Sequence, residues 1–357
     1  MSDPAPILWL DELRLEHLLS VGGKLARLGE LAGRGYPVPP GFAVPVEAFQ
    51  LAVPDDVRRE IGLISHHAPS SLAGLEAAAT SIRELIEGQP LPGWLEDEVA
   101  EAYEHLVERC GLGPELPLAI RSSGVGEDAG AASFAGQFDT YLGVRGAVGA
   151  LEHVKRCWAS QYSARALDYC RRQGLRPDER GIAVGVLQLL SARSSGIAFS
   201  INPVDGNSDQ AVVEASWGLG EAVVSGRVTP DCWVVEKSTG RIVEERIADK
   251  ELRSVFDEAA GRVVDQEAPE SLRTEPALSH DEVRHVAEVA AAIEQQEGCP
   301  QDVEWAFDER LAFPRNFFLL QHRPETVWSR QPESTPFDPV EYALRNVFGV
   351  LPEAGSS

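Results

Sequence analysis

Cysteine is scarce and scattered in this chain, and long apolar runs are missing. The five cysteines are odd in number and include no Cys-x-x-Cys pair, which argues against a structural zinc site. No apolar run approaches the ~20 residues that span a bilayer, and the N-terminus lacks the basic start and apolar core of a signal peptide. The sequence therefore predicts a reduced, cytoplasmic protein with no membrane partner.

Positive charge is also in short supply. The 32 Lys and Arg residues are outnumbered by 56 Asp and Glu residues, for a formal net charge of −24. This balance argues against binding to nucleic acid or to an anionic membrane, since both need a positive surface. A polyanionic ligand would have to be held by locally placed cations and a metal ion, so Lys and Arg near glycine-rich turns are the candidates.

Two familiar nucleotide motifs are absent. No Gly-x-x-x-x-Gly-Lys-[Ser/Thr] sequence occurs, which excludes a P-loop. The near match to a dinucleotide fingerprint that begins at Gly124 lacks its third glycine, and Glu127 and Asp128 would face a pyrophosphate. Any nucleotide site must therefore use other segments.

The apolar pattern divides the chain into three blocks, and the length allows two or three domains or lobes. Residues 1–115 look mostly helical, and residues 116–250 are rich in short strands and glycine turns around one long helix near 148–174. An acidic, irregular stretch over 251–276 precedes a helix that begins with the capping box of Ser279 and Glu282. After a hairpin, residues 331–357 look like a linker or docking tail.

Two polar pairs in the final hairpin carry the clearest chemical signal. Side chains alternate along a strand, so Asp302 and Glu304 share one face, as do Gln321 and Arg323 on the next strand. If the strands pair, two carboxylates, an amide and a guanidinium converge on one patch. Such a patch suits Mg²⁺ and a phosphate. The alternative is a solvated hairpin face with an ordinary ion pair.

Three further segments are candidates for anion binding. Ser20-Val-Gly-Gly-Lys24 opens a helix, whose N–H groups and lysine attract anions; the alternative is a flexible turn with a surface lysine. A loop of small residues between Arg121 and Thr140 can present N–H groups to phosphates and close over them, although a structural Gly/Ala-rich loop has the same composition. Gly218-Leu-Gly-Glu221 is a weaker signal, since its glycines suit either a tight turn or a bound ligand.

Together and in this order, the segments resemble the N-terminal ATP-binding domain of the phosphoenolpyruvate synthase and pyruvate phosphate dikinase family. The resemblance covers about residues 15–328. It implies an α+β fold of the ATP-grasp type, with the nucleotide between two lobes at residues 1–185 and 186–330. The motifs in register are Val-Gly-Gly-Lys24, Pro-Pro-Gly-Phe42, Arg121-Ser-Ser, Ala-Ser-Phe-Ala-Gly-Gln137, Gly-Leu-Gly-Glu221, Thr-Pro-Asp231, Asp-Val-Glu304-Trp and Gln321-His-Arg323.

The same resemblance implies roles for individual residues. Lys24 and Arg121 would hold phosphates and Arg323 would steady the transferred groups, which makes these three the predicted catalytic residues. Glu304 and Gln321 would ligate Mg²⁺, with Asp302 in support. The other predicted ATP-binding residues lie in the loop over the phosphates, on the adenine strand and in the third glycine segment: Ser133, Gly136, Thr140, Gln188, Leu190 and Glu221.

Two positions depart from the family pattern. The adenine strand at Val184–Leu190 has its glutamine, Gln188, one place later than usual, so the side chain can face the other way. His322 stands inside the Gln-x-Arg motif, where a small residue is commoner. A surface substitution is the preferred interpretation of His322, and a local pH sensitivity is the other.

The resemblance also implies a partner. Family enzymes continue into a swivelling domain with a phosphorylatable histidine in a Thr-Ser-His-like context, and none of the eight histidines here has that context. We therefore expect an ATP-binding subunit, similar to that of phenylphosphate synthase, which phosphorylates a histidine on a separate protein and releases AMP and phosphate. The final acceptor would be a small hydroxylated molecule or pyruvate. The alternatives are a fragment of a longer enzyme, a self-contained kinase that gives ADP, and a nucleotide-sensing module.

Overall fold

Two antiparallel β-sheets form the scaffold of the chain. The computed structural model describes residues 7–126, 139–177, 181–224, 226–325 and 328. The strands are β1 Leu8–Trp9, β2 Gly41–Val44, β3 Leu118–Gly124, β4 Thr140–Val144, β5 Ile182–Gln188, β6 Ala192–Phe199, β7 Gln210–Trp217, β8 Asp231–Glu236, β9 Arg241–Arg246, β10 Leu252–Asp257, β11 Arg262–Glu267, β12 Gln301–Asp308 and β13 Phe317–Pro324. Within the described ranges, one sheet has the order β1-β2-β5-β3-β4, the second has the order β13-β12-β6-β7-β8-β9, and β10 pairs with β11 alone.

Helices cover the sheets and make the fold α+β, as predicted. They are α1 Leu18–Gly33, α2 Val46–Ala52, α3 Asp55–His67, α4 Leu72–Glu87, α5 Gly93–Cys110, α6 Gly146–Ser160, α7 Ala164–Gln173, α8 Glu221–Val224, α9 Glu270–Arg273 and α10 His280–Glu297. In the described part of the chain, no helix combines the length and apolar character of a bilayer crossing. The predicted capping box of α10 is confirmed, because Ser279 and Glu282 bond to each other's backbone N–H groups.

Two local predictions were wrong. The single helix expected near 148–174 is divided into α6 and α7, because the Ser163 side chain accepts the N–H of Ala166 at 3.2 Å and starts a new helix. The stretch at 251–276 was expected to be irregular, but β10 and β11 pair along their whole length from Leu252–Glu267 to Asp257–Arg262. Acidic, exposed positions hid the strand pattern there.

Helix α1 joins the two sheets. Its buried residues share one core with Leu187 of the first sheet and with Trp305 of the second, and α10 closes the same core. The other face of the first sheet packs against α2 to α7 in a separate core. The start of α1 therefore lies where the two sheets meet.

The chain leaves the first sheet after β5 and enters the second sheet at β6. The boundary predicted between residues 185 and 186 falls inside this strand, which belongs wholly to the first sheet. Division of the chain into an N-terminal and a C-terminal lobe stays a prediction. The predicted tail at 331–357 lies outside the described residues.

Candidate active site

A cleft of about 610 Å³ opens between the two sheets. Of the eleven residues predicted to bind ATP or metal, Ser133 and Gly136 lie outside the described residues. The others all line this cleft: Lys24, Arg121, Thr140, Gln188, Leu190, Glu221, Glu304, Gln321 and Arg323. The structure therefore brings together side chains that lie far apart in the sequence, from Lys24 to Arg323.

The two strands of the final hairpin, β12 and β13, pair with each other. Asp302 lies opposite Arg323, and Glu304 lies opposite Gln321. A register shift between Glu304 and Trp305 bends the ladder directly after the carboxylate. Paired residues share a face, so the four polar side chains form one patch, as expected from their alternation.

Asp302 holds Arg323 in place on this patch. Its Oδ2 accepts a hydrogen bond of 3.1 Å from the Arg323 Nε. Among the described residues, its other oxygen, Oδ1, is buried without a hydrogen-bond partner. Burial raises the pKa of Asp302, and the neighbouring Arg323 opposes that rise. The contact places Asp302 beside Arg323, and its supporting role at the site stays a prediction.

Arg121 reaches from the first sheet to the second. It extends from β3, next to Thr140 on β4. Its Nη1 donates to the carbonyl of Leu320 at 3.0 Å, and its other terminal nitrogen donates to the side-chain oxygen of Gln321. Within the described residues its Nε is buried and has no partner. A buried guanidinium N–H at a cleft is a ready donor for an anionic ligand.

Lys24 lies in the first regular turn of α1. Gly22 has φ +72° and interrupts the helix, so the turns that follow begin a fresh helical run. A Cβ at Gly22 would lie 2.4 Å from the carbonyl oxygen of Ser123, which only glycine avoids. The Ser123 hydroxyl accepts the N–H of Leu25 at 3.3 Å. These contacts fix the N-terminus of α1, and with it Lys24, at the cleft.

The Gly218–Glu221 segment is shaped by the hairpin of β10 and β11. Gly218 has φ +79°, and a Cβ there would lie 2.2 Å from the carbonyl oxygen of Ser254. The Ser195 hydroxyl donates to the carbonyl of Gly218 at 2.6 Å, and the N–H of Leu219 donates to the carbonyl of Ser254 at 2.8 Å. Glu221 then opens α8 at the cleft wall. Gly218 is therefore required by a close approach of two backbone segments.

The Gln188 side chain is hydrogen-bonded to Cys110, although the residue is part of the cleft lining. On β5 it follows Val184 and Val186, whose side chains face the helical core, while Leu187 faces the core shared with the second sheet. The Gln188 side-chain oxygen accepts a hydrogen bond of 3.4 Å from the Cys110 thiol. Because Gln188 comes one place late on the strand, its side chain lies on the same face as Val184 and Val186. The side chain would have to rotate away from Cys110 to contact the base.

His322 is not a surface residue, and that interpretation was wrong. Only 3% of it is exposed, and its Nδ1 lies 3.0 Å from the Gln301 side-chain oxygen. Burial lowers the pKa of His322 from 6.5 to about 4, against the opposing effect of Glu297. Strand alternation could have shown this, because a residue between two cleft-facing side chains points to the core.

We expect His322 to make the fold sensitive to acid. Unfolded chains bind a proton at this histidine below pH 6.5 and the folded chain only below about pH 4, so the free energy of unfolding should fall as the pH drops through that window. The full effect is about 3 kcal/mol. Urea unfolding of the unaltered protein and of His322→Asn at several pH values measures it. The raised pKa of Asp302 acts in the opposite direction but equally in both proteins, so parallel pH profiles would contradict the prediction.

The sequence-based prediction missed one cation of the cleft. Arg227 lines it together with Glu221, Lys24 and the other predicted residues. The available signal was its position, directly after Gly226 and close to the Gly-Leu-Gly-Glu221 motif. Oxygen ligands thus lie beside several cations, an arrangement suited to a metal-bound polyphosphate.

Known sequences identify the domain. The pyruvate phosphate dikinase, AMP/ATP-binding domain family matches residues 18–342. The chain belongs to this family. It is 39% identical over 349 residues to a probable phosphoenolpyruvate synthase of Staphylothermus marinus, covering 92% of this chain and 42% of that protein. It is also 39% identical over 363 residues to a phosphoenolpyruvate synthase of Aeropyrum pernix, covering 94% and 44%.

The matched relatives are longer proteins than this chain. A probable phosphoenolpyruvate synthase of Methanocaldococcus jannaschii is 40% identical over 325 residues, which cover 90% of this chain and 27% of that protein. The chain thus spans less than half the length of these curated relatives. A solved structure of a D-cycloserine synthetase aligns over 85% of this chain and 63% of its own, at 11% identity and a TM-score of 0.26, a level that says nothing about function.

Proposed function

We propose that the chain is the ATP-binding catalytic part of a dikinase-type phosphotransferase and that Mg-ATP binds in the cleft between the sheets. The observation that carries the proposal is the meeting of Lys24 and Arg121 with Glu304, Gln321 and Arg323 around one cavity. In a chain of net charge −24, three cations at one cleft are the local counter-charge that a polyphosphate requires.

The donor set at the hairpin fits Mg²⁺. Glu304 offers a carboxylate and Gln321 an amide oxygen directly opposite it, and Mg²⁺ in nucleotide sites takes few protein oxygens together with substrate phosphates. The Gln321 oxygen has two lone pairs, so its bond from Arg121 leaves it able to act as a ligand. When bound, Mg²⁺ supplies neutralisation of phosphate charge.

The protein side chains would bind and orient the phosphates. Phosphoryl transfer depends mainly on positioning and charge neutralisation rather than on a protein nucleophile. The Nε of Arg121, which has no hydrogen-bond partner among the described residues, offers a donor, and the bond from Arg323 Nε to Asp302 leaves the terminal nitrogens of Arg323 for a phosphate. Lys24 adds a point charge at the start of α1, where helix N–H groups already favour an anion.

The phosphate acceptor would be a histidine that this chain does not supply. All eight histidines lie in the described ranges, and the cleft lining found there includes none of them. We propose that ATP transfers its terminal phosphates to a histidine on a swivelling domain of a partner protein, that AMP leaves, and that water takes one phosphoryl group to release phosphate. The phosphohistidine would then phosphorylate a small hydroxylated molecule or pyruvate. The names of the relatives support this reaction class.

Identification of the nucleotide product tests the proposal. The protein, Mg-ATP and a candidate histidine-bearing partner are mixed, and the products are separated by chromatography. We expect AMP only when the partner is present, and a loss of at least about 100-fold in its rate of formation in Arg323→Ala. Arg241→Ala, an exposed residue of β9 paired with Glu236, should leave the rate unchanged. ADP formed without a partner would contradict the proposal and indicate a self-contained kinase.

A further inference from the structure

Arg227 lines the cleft together with Lys24 of α1 and Arg121 of the first sheet. Lys24 lines the cleft from α1 and Arg121 from β3, while Glu221 lines it from α8 and Arg227 from the segment after that helix. Its side chain is 43% exposed, so a ligand in the cleft can reach the guanidinium.

The backbone delivers Arg227 to this position by a tight turn. Gly226 has φ +69°, the left-handed conformation that ends a helix at low cost. The N–H of Gly226 donates to the carbonyl of Val223 at 2.9 Å, and the N–H of Arg227 donates to the carbonyl of Ala222 at 2.9 Å. The main chain of Arg227 is therefore tied to α8, the helix that Glu221 opens.

A carboxylate on the β10–β11 hairpin fixes the guanidinium. The Nη1 of Arg227 is ion-paired with the Oδ2 of Asp265, and the other oxygen of Asp265 accepts the Ser254 hydroxyl at 2.5 Å. The carbonyl of the same Ser254 accepts the N–H of Leu219 at 2.8 Å. Asp265 and Ser254 thus connect Arg227 to the glycine segment of the cleft wall.

The same hairpin is attached to the first sheet. The ring of Phe256 on β10 lies so close to Gly143 of β4 that a Cβ there would be 2.4 Å from it. The Arg145 guanidinium lies 5.0 Å from the centre of that ring and is ion-paired with Glu258. The hairpin that carries Asp265 therefore contacts both the first sheet and the segment of the cleft wall that contains Gly218 and Leu219.

We infer that Arg227 is a fourth phosphate-binding side chain of the cleft and that Asp265 is its positioning residue. The inference rests on the proposed binding of Mg-ATP. A guanidinium has five N–H donors, so an ion pair with one carboxylate oxygen leaves capacity for a phosphate. Together with Lys24, Arg121 and Arg323, Arg227 brings the number of cationic side chains that line the cleft to four. Two carboxylates, those of Glu221 and Glu304, line it as well.

Nucleotide selectivity tests the inference. Affinities for Mg-ATP and for AMP are measured by calorimetry for the unaltered protein and for Arg227→Ala. A charge-assisted contact to the terminal phosphates predicts about a 10-fold loss for ATP and less than about a 2-fold change for AMP. Arg227→Lys should recover part of the loss because it restores the charge. Arg284→Ala is the matched control, since Arg284 on α10 has the same 43% exposure and also pairs with a carboxylate, Asp281.

The positioning role of Asp265 is tested by comparing ATP affinities in single and double variants, because a general structural defect would not make the effect of Asp265→Asn depend on Arg227. Asp265→Asn should weaken ATP binding less than Arg227→Ala does, and it should have no further effect in the Arg227→Ala background. Additive losses of ATP affinity would overturn the positioning role. If Arg227→Ala is too unstable to measure, Arg227→Gln replaces it.

Two failures can be told apart. An unaltered protein that binds no ATP would overturn the proposed function and this inference with it. An unaltered protein that binds ATP, with Arg227→Ala and Arg227→Gln binding it equally well, would overturn only the inference. An equal loss of ATP and AMP affinity would also overturn it, because the contact would then be with a group that both nucleotides share and not with the terminal phosphates.

Discussion

Replacing Arg121 with alanine is expected to lower the affinity for Mg-ATP about 100-fold, the loss of two charge-assisted hydrogen bonds of about 1.5 kcal/mol each. The side chain is held in the cleft by the carbonyl of Leu320 and the side chain of Gln321. Its orientation is therefore set before a ligand arrives, so little conformational entropy is lost on binding. Calorimetric titration with Mg-ATP measures the change.

Two variants show whether the effect belongs to the guanidinium. Arg121→Lys keeps the charge but loses the planar fork, so we expect an intermediate loss of about 10-fold. Arg83→Ala is the control, because Arg83 is an exposed residue of α4 that lies 3.9 Å from Glu87. Since Arg121 also links the two sheets, thermal unfolding is recorded for each variant. A folded Arg121→Ala protein with undiminished ATP affinity would show that Arg121 does not contact the nucleotide.

Replacing Lys250 with methionine is expected to lower the free energy of unfolding by about 3–5 kcal/mol. The Lys250 Nζ lies 2.6 Å from the Asp231 Oδ1, and both side chains are fully buried. The substitution leaves a buried carboxylate without its cation, which is the costly way to break such a pair. Urea unfolding measures the loss.

The Asp231 carboxylate also organises the surrounding loops. It accepts the backbone N–H groups of Ala248 at 2.9 Å and Ala277 at 2.8 Å, and so connects the start of β8 to the segments before β10 and α10. In the double replacement Asp231→Asn with Lys250→Met no charge is left unpaired, although the amide oxygen can accept only one of the two N–H groups, so its cost should be less than the sum of the two single replacements.

A half-buried ion pair provides the comparison. Lys237 lies 2.6 Å from Glu294, with side chains that are 18% and 20% exposed, so Lys237→Met should cost only about 1 kcal/mol. Equal losses for the Lys250 and Lys237 variants would mean that burial does not increase the cost. The Thr-Pro-Asp231 motif, which supported the family assignment, would then need another structural explanation.

The final hairpin shows how far local patterns can go. Strand alternation correctly placed Asp302, Glu304, Gln321 and Arg323 on one face, because a side-chain period of two leaves only two possible faces. The same rule, applied to His322, would have placed it in the core. The alternation of β5 likewise accounts for the direction of Gln188, whose side chain contacts Cys110.

The β10–β11 hairpin shows where local patterns fail. Its exposed residues carry no clear apolar alternation, and its place in the fold depends on contacts with Gly143 of the first sheet and Leu219 of the cleft wall. Such contacts arise from pairing between distant segments, which overrides weak local preference. The significance of Arg227 was hidden for the same reason, since its partner Asp265 comes from that hairpin.

By itself, the sequence determined the family, the α+β class, most of the helices and strands, and which polar side chains share a face, because these depend on motifs and on local periodicity. Only the tertiary structure decided that Arg121 would meet Gln321, 200 residues further along the chain, and that Arg227 would join the same cleft. The physical reason is that distances across a cleft depend on how α1 and the two sheets pack together, and no local pattern encodes that packing.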